Sequence, residues 1–460
     1  MAERLFRSGE RAYATKAYAE ALETWGQLLQ QAPKSPFAAQ ALLRMARHQL
    51  DQEQKASAAL PILERIKTEH MKTPWAADAM LLRGQILASQ ARKPQDLREA
   101  IGEFNRVVDL FPDHPALQTA RYHLGLSAKL QGQWVRALQH FTDALRLDPT
   151  SATAPKAQFQ TAEMLDLMGD LPGCLRILQN LRNQFPKSPE AQEATWRIAQ
   201  RVKFRLQKPP LRSEGPWPQG KTKWLKTPTL LATSPNGEVV IFQDDLDQAF
   251  VLKGNDLTAA GTITKNAKAM AVLSDGTPLL LSTKAGINAA ANVPSIPVLN
   301  LSAPTGIFQD PWQNFWVSDS KSTSIFVIEV NGAIRNLPSP SVSAMACLPT
   351  GGAVVASDAN RSLLFLDNAG LPRLTVPYGK DLPTPFKNVL ALNTDPLGHV
   401  AAIVDGDFEG VVLWGPNGGL LRFATFKDLG LNGKFRAITL DRQGGIILAD
   451  RSNDLLIRVN

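Results

Sequence analysis

The sequence predicts a multidomain α + all-β protein, with an N-terminal α-solenoid of helical hairpins followed by a six-bladed β-propeller. Two observations predict this class. A helical unit recurs every 34 to 41 residues up to about residue 190, and short apolar segments divided by glycine-containing turns recur every 36 to 47 residues after about residue 228. Since 460 residues are too many for one hydrophobic core, two domains are expected.

The helical unit is clearest between Gly125 and Pro149. Small residues at the start of the unit suit the crossing of two helices, an apolar stripe suits the buried side of the second helix, and a proline ends that helix. The defining residues of this unit are Gly125, Ala137, Phe141, Ala144 and Pro149. The same spacing recurs in two other sets of residues: Gly9, Ala21, Trp25, Leu28 and Pro33, and Ala162, Cys174, Leu178, Leu181 and Pro186. Two looser copies run from Ala46 to Pro74 and, with about four extra residues, from Gly84 to Pro112.

This unit resembles the tetratricopeptide repeat. The segment RYHLGLSAKLQGQWVRALQHFTDALRLDP carries the resemblance, which covers roughly residues 2–190. A last helix, from Glu190 to about Leu206, lacks a partner helix and is expected to act as a solubilising cap. The predicted helical domain therefore spans residues 1–206.

The resemblance implies that the first helix of each hairpin lines a groove that binds a partner protein. Lys129 near Glu163 and Asp166 makes this groove mixed in charge, which suits an amphipathic helix or an extended segment better than an acidic chain end. The candidate partner-binding residues are Phe6, Glu10, Tyr13, Leu81, Gln85, Tyr122, Leu126, Lys129, Phe159, Glu163 and Asp166. The alternative for Tyr122 and Phe159 is packing between repeats.

The second half begins with a change in composition. Residues 207–218 are rich in proline and glycine and are predicted to be a linker, and residues 219–460 are predicted to form the propeller. Asn-Gly and Asp-Gly favour two-residue hairpin loops. The six turns are Asn236-Gly237, Asp275-Gly276, Gln313-Asn314, Gly351-Gly352, Gly398-His399 and Gly444-Gly445.

Four of the six units resemble the blade of an NHL repeat. In each, an Asp follows the second apolar segment and precedes a turn: Asp319, Asp358, Asp405 and Asp450. We interpret these residues as structural, because a carboxylate there can accept hydrogen bonds from backbone N–H groups of the turn. The first two units match this pattern poorly, and the second lacks the Asp.

The last unit supplies only three strands before the chain ends at Asn460. A four-stranded blade still needs an outer strand, and an unpaired edge is a liability. We therefore predict that Lys221–Lys226 pairs antiparallel with Leu455–Val459 and that Trp224 is buried there, which leaves residues 207–218 free.

An enzymatic propeller needs a site on its central axis. In lactonases of the regucalcin type, Glu, Asn and Asp hold a metal there; the equivalent positions here are Thr229, Ala269, Thr305, Ser343, Asn388 and Arg436. A hard cation requires several charged oxygen ligands, so no metal and no cofactor are expected. Glu214-Gly215-Pro216-Trp217 resembles a metal-binding segment of those lactonases, but it falls in the predicted linker and is interpreted as a coincidence. The six histidines lack the spacing of a zinc motif.

The net charge of +8 is unevenly distributed. Residues 1–206 carry a net +7, residues 207–228 a net +4 and residues 229–460 a net −3. The basic half could bind an acidic partner or nucleic acid, but a solvated face is the favoured interpretation. The two cysteines, Cys174 and Cys347, are expected to be buried and unpaired, and no apolar run is long enough for a membrane span.

These patterns favour a non-catalytic scaffold that binds partner proteins through the helical groove and the propeller face. A propeller hydrolase or lyase is the first alternative, and an RNA-binding NHL propeller is the second. The segment FPKSPEAQEATWRIAQ resembles repeat arrays of bacterial envelope lipoproteins and assembly factors. A periplasmic or cell-surface location is therefore favoured over the cytoplasm, with an export signal absent from the given chain.

Overall fold

A computed structural model describes residues 1–221, 223–234, 236–261, 263–283, 286–289 and 301–460. The chain divides into two compact units, Met1–Ala194 and Thr195–Asn460. Within the described residues, no helix is both long enough and apolar enough to cross a membrane.

The first unit, which is described throughout, contains five antiparallel helical hairpins, as predicted. The hairpins are α1 (Ala2–Ala14) with α2 (Tyr18–Gln31), α3 (Pro36–Asp51) with α4 (Ala56–Glu69), α5 (Trp75–Gln90) with α6 (Leu97–Leu110), α7 (Ala116–Leu130) with α8 (Trp134–Leu147), and α9 (Ala154–Leu167) with α10 (Leu171–Gln184). The extra residues of the third repeat form a 3₁₀ turn, Pro94–Asp96, between α5 and α6. A further helix, α11 (Pro189–Arg201), follows.

Glycine allows the two helices of a hairpin to approach each other closely. A Cβ atom on Gly125 would lie only 2.5 Å from Cε1 of Phe141, which belongs to the second helix of the same repeat. Gly84 has the same relation to Phe104, at 2.5 Å, and Gly9 to Trp25, at 2.3 Å. Each aromatic ring therefore fills the space that the missing side chain leaves, and the small-residue position is explained by close packing.

A buried carboxylate holds the second and third repeats together. Glu103 on α6 is only 2% exposed. Its Oε1 atom accepts hydrogen bonds from Lys67 of α4 at 3.1 Å, from Arg83 of α5 at 2.7 Å and from Arg106 at 2.8 Å. A buried anion is tolerated only where cations and donors compensate its desolvation, and three cations do so here.

The second unit contains six antiparallel sheets, which form the predicted six-bladed propeller. The strands of the first three blades are β2 (Pro228–Thr233), β3 (Val239–Gln243), β4 (Gln248–Lys253) and β5 (Asp256–Ala259); β6 (Ala267–Val272), β7 (Pro278–Ser282) and β8 (Gly286–Ala289); and β9 (Pro304–Gln309), β10 (Phe315–Asp319), β11 (Ser324–Ile328) and β12 (Ile334–Pro338). Of the second blade, the described residues show three strands.

The remaining blades have four strands each. They are β13 (Ala344–Cys347), β14 (Ala353–Ser357), β15 (Ser362–Leu366) and β16 (Pro372–Pro377); β17 (Asn388–Thr394), β18 (Val400–Asp405), β19 (Gly410–Trp414) and β20 (Leu420–Thr425); and β21 (Phe435–Leu440), β22 (Ile446–Asp450) and β23 (Leu455–Val459) with β1 (Ser213–Trp217). The second strands are buried along their whole length, apart from the last residue of β18, Asp405, which explains their largely apolar sequences.

The six predicted turns connect the first and second strands of the six blades, but each loop has three residues rather than two. In the sixth blade, the Gly444 N–H donates to Asp441 O and the Asp441 N–H donates to Gly445 O, and the other blades repeat this pair of hydrogen bonds. The third loop residue has a positive φ in every blade, including Gln313 at 66°. This geometry is a turn followed by a left-handed bulge residue, which explains the recurrent glycine.

The ring is closed by an N-terminal strand, as predicted, but the predicted segment was wrong. β1 pairs antiparallel with β23, with Ser213 opposite Val459 and Trp217 opposite Leu456. Lys226 is two residues from the start of β2, the innermost strand of the first blade. Two residues span at most about 7 Å, whereas an outer strand lies about three strand spacings, roughly 14 Å, from the innermost one. A strand at Lys221–Lys226 therefore could not reach β2, whereas β1 leaves ten residues for the crossing.

The predicted linker and cap also need correction. The boundary between the two units falls inside α11, after Ala194, and not at residue 206. Helix α11 continues as a π-helical turn, Val202–Gln207, and Phe204 is fully buried in one apolar cluster with residues of blades five and six. Residues 196–209, here called the strap, are thus part of the second unit. Because the end of the helix buries Phe204, it is a packed element and not a solvated cap.

Candidate functional site

Contacts between successive first helices form one continuous side of the first unit, here called the first-helix face. Helix α1 contacts α3, α3 contacts α5, and α5 contacts α7. Polar side chains connect neighbouring first helices along this face. Arg44 donates to Glu10 at 2.7 Å, Gln85 Nε2 lies 2.9 Å from His123 Nε2, and Lys129 donates to Gln160 at 2.7 Å. Three of the predicted groove residues, Glu10, Gln85 and Lys129, take part in these contacts.

His123 is the titratable group at the centre of this row. Its ring stacks on Phe104 at 5.2 Å, and its Nε2 accepts from the Gln85 amide. Burial, and to a lesser degree the charge of Lys156, lowers the pKa of His123 to about 4. The imidazole is therefore neutral near pH 7, and the charge of this part of the face does not change around that pH.

The predicted aromatic residues of the first repeat differ in position. Phe6 is only 6% exposed and packs on Phe37 in the core of the first two repeats, so it offers a partner almost no surface. The resemblance placed it in the groove, but the ring turns into the contact between α1 and α3. Tyr13 is half-buried and lies against Tyr18, at 4.9 Å between ring centroids, and against Trp25.

The other predicted residues are half-buried. Tyr122 packs on Phe141 with 5.7 Å between ring centroids, and burial followed by the charge of Glu190 raises the pKa of its hydroxyl. Tyr122 therefore belongs partly to the packing between helices, as the alternative interpretation held. Leu81, Leu126, Phe159, Glu163 and Asp166 are likewise neither fully buried nor fully exposed.

The six positions that correspond to the metal-binding residues of lactonases were expected just before the innermost strands, but only Ser343 lies there. The other five lie within the first three residues of an innermost strand: Thr229, Ala269, Thr305, Asn388 and Arg436. Asn388, at the start of β17, donates from Nδ2 to Asp405 Oδ1 at 2.7 Å, so this amide and carboxylate already pair with each other. In the part of the chain that the structure describes, no group of three His, Cys, Asp or Glu side chains is placed to hold a metal ion. Glu214 lies on the outer strand β1, where its Oε2 is 2.7 Å from Arg458 Nη1, and not in a linker.

Two of the four strand-end aspartates, Asp319 and Asp450, hold the turn that follows them, in agreement with the structural interpretation. The carboxylates of Asp358 and Asp405 instead bond to residues outside that turn. Asp319 accepts from the N–H groups of Ser302, Ala303 and Lys321. Asp358 reaches the next blade, where its Oδ1 accepts from the N–H of Val389.

Asp450, which is 2% exposed, tests this interpretation. Its Oδ1 accepts from the Ser452 N–H and hydroxyl and from the Asn453 N–H, and its Oδ2 accepts from Asn453 Nδ2. The Asp450→Ala substitution is expected to destabilise the propeller by about 1–3 kcal/mol, because it removes the hydrogen bonds that Ser452 and Asn453 donate to the buried carboxylate. Asp407→Ala, at an exposed ion pair with Lys387, is the matched control and should cost less than about 1 kcal/mol. Equal losses in urea unfolding would contradict the structural role.

Sequence reasoning missed a second set of aspartates. Asp310, Asp395 and Asp441 each begin a loop between the first and second strands and accept N–H groups of that loop at 2.7 to 2.9 Å. The detectable signal was an Asp three residues before the left-handed position in three of the six turns. Asp395 also binds the ring of His399, with Oδ2 2.7 Å from Nδ1.

Polar contacts between innermost strands were missed as well. Asn393 of the fifth blade donates at 3.3 Å to Ile438 O of the sixth blade and to Leu231 O of the first. Thr394 donates to Cys347 O, and the partly exposed Cys347 thiol points to the carbonyl oxygen of Gln309 at 4.0 Å. Burial raises the pKa of Cys347 to about 12, so the thiol stays protonated and is a poor nucleophile.

Comparison with known proteins agrees with this architecture. Residues 119–151 and 156–188 match the tetratricopeptide repeat family model. No curated protein matches the chain. The chain is therefore a helical-repeat region followed by a six-bladed propeller, and the fourth and fifth helical repeats are those that match the tetratricopeptide repeat family model.

Solved structures resemble part of this chain. A streptogramin B lyase structure is 15% identical with a TM-score of 0.38, covering 54% of this chain and 97% of its own. A gluconolactonase from Xanthomonas campestris is 13% identical with a TM-score of 0.39, covering 52% and 88%. PilW, a type IV pilus biogenesis factor, is 17% identical with a TM-score of 0.34, covering 42% and 82%. At these values the likeness says nothing about what this chain binds or catalyses.

Proposed function

We propose that this protein is a non-catalytic scaffold that binds partner proteins through the first-helix face of its tetratricopeptide repeats. The observation that carries the proposal is the continuity of this face, with polar contacts that join successive repeats and half-buried apolar side chains between them. Tetratricopeptide repeats generally mediate protein–protein interaction, and the propeller adds a second surface for protein binding. Two binding surfaces on one chain raise the local concentration of their partners.

The chemistry of the face favours an amphipathic helix or an extended segment as the ligand. Leu81, Tyr122 and Leu126 offer apolar surface, and Lys129 and Gln85 offer polar atoms nearby. An apolar stripe flanked by polar groups of both signs matches a peptide with the same alternation. Because His123 is neutral near pH 7, binding should change little with pH there.

The absence of catalysis in this proposal is supported by the hydrogen bonds that engage the strand-end carboxylates of the propeller. Asp319, Asp358 and Asp450 hold backbone N–H groups, and Asp405 holds the amide of Asn388. A catalytic acid or base must be free to exchange a proton with a substrate. A lactonase and lyase screen of residues 195–460 with added divalent metal tests this point, and any turnover would overturn it.

We also propose that the blades are of the NHL type and that the protein works in a bacterial envelope assembly. The strand-end aspartates of four blades support the first proposal, and the likeness of FPKSPEAQEATWRIAQ to envelope repeat arrays supports the second. Fractionation of cells that express the native gene tests the location. Recovery with cytoplasmic markers alone would contradict it.

The decisive experiment for the first-helix face is quantitative capture with a double substitution. The combined change Tyr122→Ala and Lys129→Ala should lower the recovery of specific partners at least about tenfold, equivalent to about 1.4 kcal/mol. Arg146→Ala, on an exposed side chain of α8, is the matched control and should leave recovery unchanged. The double variant loses packing on Phe141, so capture is done well below its melting temperature. Equal recovery from both variants would show that partners bind elsewhere.

A further inference from the structure

The strap lies against the loops between first and second strands in blades five and six. Gln200 Nε2 donates to Asp441 O at 3.2 Å and to Arg442 O at 3.1 Å. Lys203 Nζ donates to Gly444 O at 3.1 Å. The strap is therefore fastened to main-chain carbonyl groups, which are acceptors that a segment of another protein can use equally well.

One aromatic ring anchors the strap in a socket, here called the Phe204 socket, whose walls are Gly444, His399 and Arg422. The side chain of Phe204 is fully buried. Its ring lies edge-on to the imidazole of His399, with centroids 4.8 Å apart at 76°, and the Arg422 guanidinium lies 4.5 Å from its centroid. A Cβ atom on Gly444 would come within 2.8 Å of Phe204 Cζ. The socket therefore fits an aromatic ring because Gly444 has no side chain.

Arg422 is the charged wall of the socket, and one edge of its guanidinium has no acceptor. The residue is 5% exposed, and its Nη1 donates to Pro209 O of the strap at 3.2 Å. Its Nε and Nη2 atoms are buried and find no acceptor among the described residues. These two atoms form one edge of the planar group, an edge that can bind both oxygens of a carboxylate. The docked strap thus leaves a buried, charged donor pair unsatisfied, which is unfavourable.

Arg458 of β23 shows the pairing that Arg422 lacks. Its Nε lies 2.7 Å from Asp441 Oδ2, and its Nη1 lies 2.7 Å from Glu214 Oε2. Burial lowers the pKa of both guanidinium groups, but these hydrogen bonds raise that of Arg458 above its ordinary value, whereas the pKa of Arg422 falls to about 10. Asp395, the other carboxylate at the socket, binds the imidazole that forms its wall. In the described part of the chain the nearby carboxylates are thus engaged, which indicates a ligand as the source of an anion for Arg422.

The backbone of the strap is irregular at the socket. Val202–Gln207 is a π-helical turn and not a continuation of the α-helix, and the Lys208 N–H donates to Lys203 O. Lys208 has a positive φ of 44°, a conformation that residues with a Cβ atom generally avoid. π-Helical turns are rare and often mark functional sites. The strap therefore fills the socket with an unfavourable backbone and leaves Arg422 incompletely paired, so a ligand without these defects can replace it.

We propose that the Phe204 socket is a docking site for a partner protein, which the strap occupies and thereby closes. The ligand is a segment that places an aromatic ring in the socket and an Asp or Glu side chain on the free edge of Arg422, where the strap has Pro209. A tethered strap competes at a high effective concentration, so only a segment with both groups displaces it. This inference rests on the proposed scaffold function, because it assigns the propeller a partner site of its own, separate from the first-helix face.

Binding of labelled peptides to the full chain tests the site. The probes are the free strap peptide, residues 196–209, and the same peptide with Pro209→Glu. The Phe204→Ala variant, whose strap has lost its anchor, should bind the Pro209→Glu peptide at least about tenfold more tightly than the unmodified peptide, because only the former brings a carboxylate to Arg422. The wild-type chain should bind both peptides at least about tenfold more weakly than Phe204→Ala does. Equal affinities of the two peptides, or of the two proteins, would overturn the proposal.

Removal of the guanidinium identifies the group that binds the carboxylate. In the double variant Phe204→Ala and Arg422→Gln, the difference between the two peptides should fall to less than about twofold, since a neutral amide cannot form the charged pair. A retained tenfold difference would assign the gain to another group and refute the role of Arg422. Neither peptide needs Tyr122 or Lys129, so failure of the first-helix face in partner capture and failure of this site are separate results.

Hydrogen exchange of the wild-type chain decides the question if these variants do not fold. The Pro209→Glu peptide at about 1 mM, the order of the effective concentration of a tethered segment, should speed exchange of the strap amides at least about threefold. Peptides from β13 to β16 should keep their protection. Unchanged exchange of the strap at this concentration would show that the segment is a permanent part of the propeller and overturn the proposal.

Discussion

A chain that begins at residue 219 is expected to melt about 10 °C below a chain that begins at residue 209, because only the longer chain contains β1. Four residue pairs join β1 to β23. At roughly 1 kcal/mol for each hydrogen-bonded pair the loss is about 4 kcal/mol, and each kcal/mol lowers the melting temperature of a domain of this size by about 2–4 °C. Thermal unfolding of the two chains, followed by tryptophan fluorescence, measures the difference.

The pair of chains isolates the closing strand, because both lack most of the strap. A third chain that begins at residue 228 also loses Leu225, which is 2% exposed and donates its N–H to Asp454 O, and should melt lower still. The chain from residue 219 should also be the least soluble of the first two, since β23 becomes an open edge. Equal melting temperatures for the chains from 209 and 219 would mean that another segment completes the sixth blade.

The sequence was sufficient to predict both folds, because both are built from repeats with strict local requirements. Gly125 and Phe141 are complementary in volume, and the same spacing in other repeats reports the same packing. The loop between the first and second strands of each blade needs one left-handed residue, and glycine takes this position in five of the six loops. Such constraints act within one repeat, and a single sequence therefore displays them.

Contacts between distant segments were not predictable in the same way. The composition of residues 207–218 suggested a linker, although Ser213–Trp217 pairs with a strand that is more than 200 residues away. Reach along the chain could have excluded Lys221–Lys226, since this segment ends two residues before β2. Nothing local in Phe204 indicates that it is buried beside His399, because the partner loops come from blades five and six.

The candidate site was predicted in outline and not in detail. Helical periodicity places Tyr122 and Lys129 on one side of α7, and the structure leaves both half-buried. Phe6 has the same position in the first repeat but is buried, because the neighbouring Phe37 packs against its ring. Periodicity indicates which way a side chain points from its helix, and only the neighbouring helix decides whether that side is covered.

The Gly125→Leu substitution is expected to destabilise the helical unit by about 1–3 kcal/mol, through overpacking between α7 and α8. Even a single added carbon would lie 2.5 Å from the ring of Phe141, which is itself fully buried. Either the ring must leave its preferred rotamer or the two helices must separate. Thermal and urea unfolding, followed by the helical circular dichroism signal, measures the loss.

Gly102 supplies the matched control, because it also lies inside a helix but a Cβ atom there would meet nothing within 4 Å. Gly102→Ala should stabilise the unit by up to about 1 kcal/mol, since alanine favours the helix over glycine. Gly125→Ala carries the same gain in helix propensity but also the clash with Phe141, so its net effect should be unfavourable. The opposite signs of the two alanine substitutions would separate packing from propensity. A stabilising Gly125→Ala would show that the small residue at this position is not required by the contact between the helices.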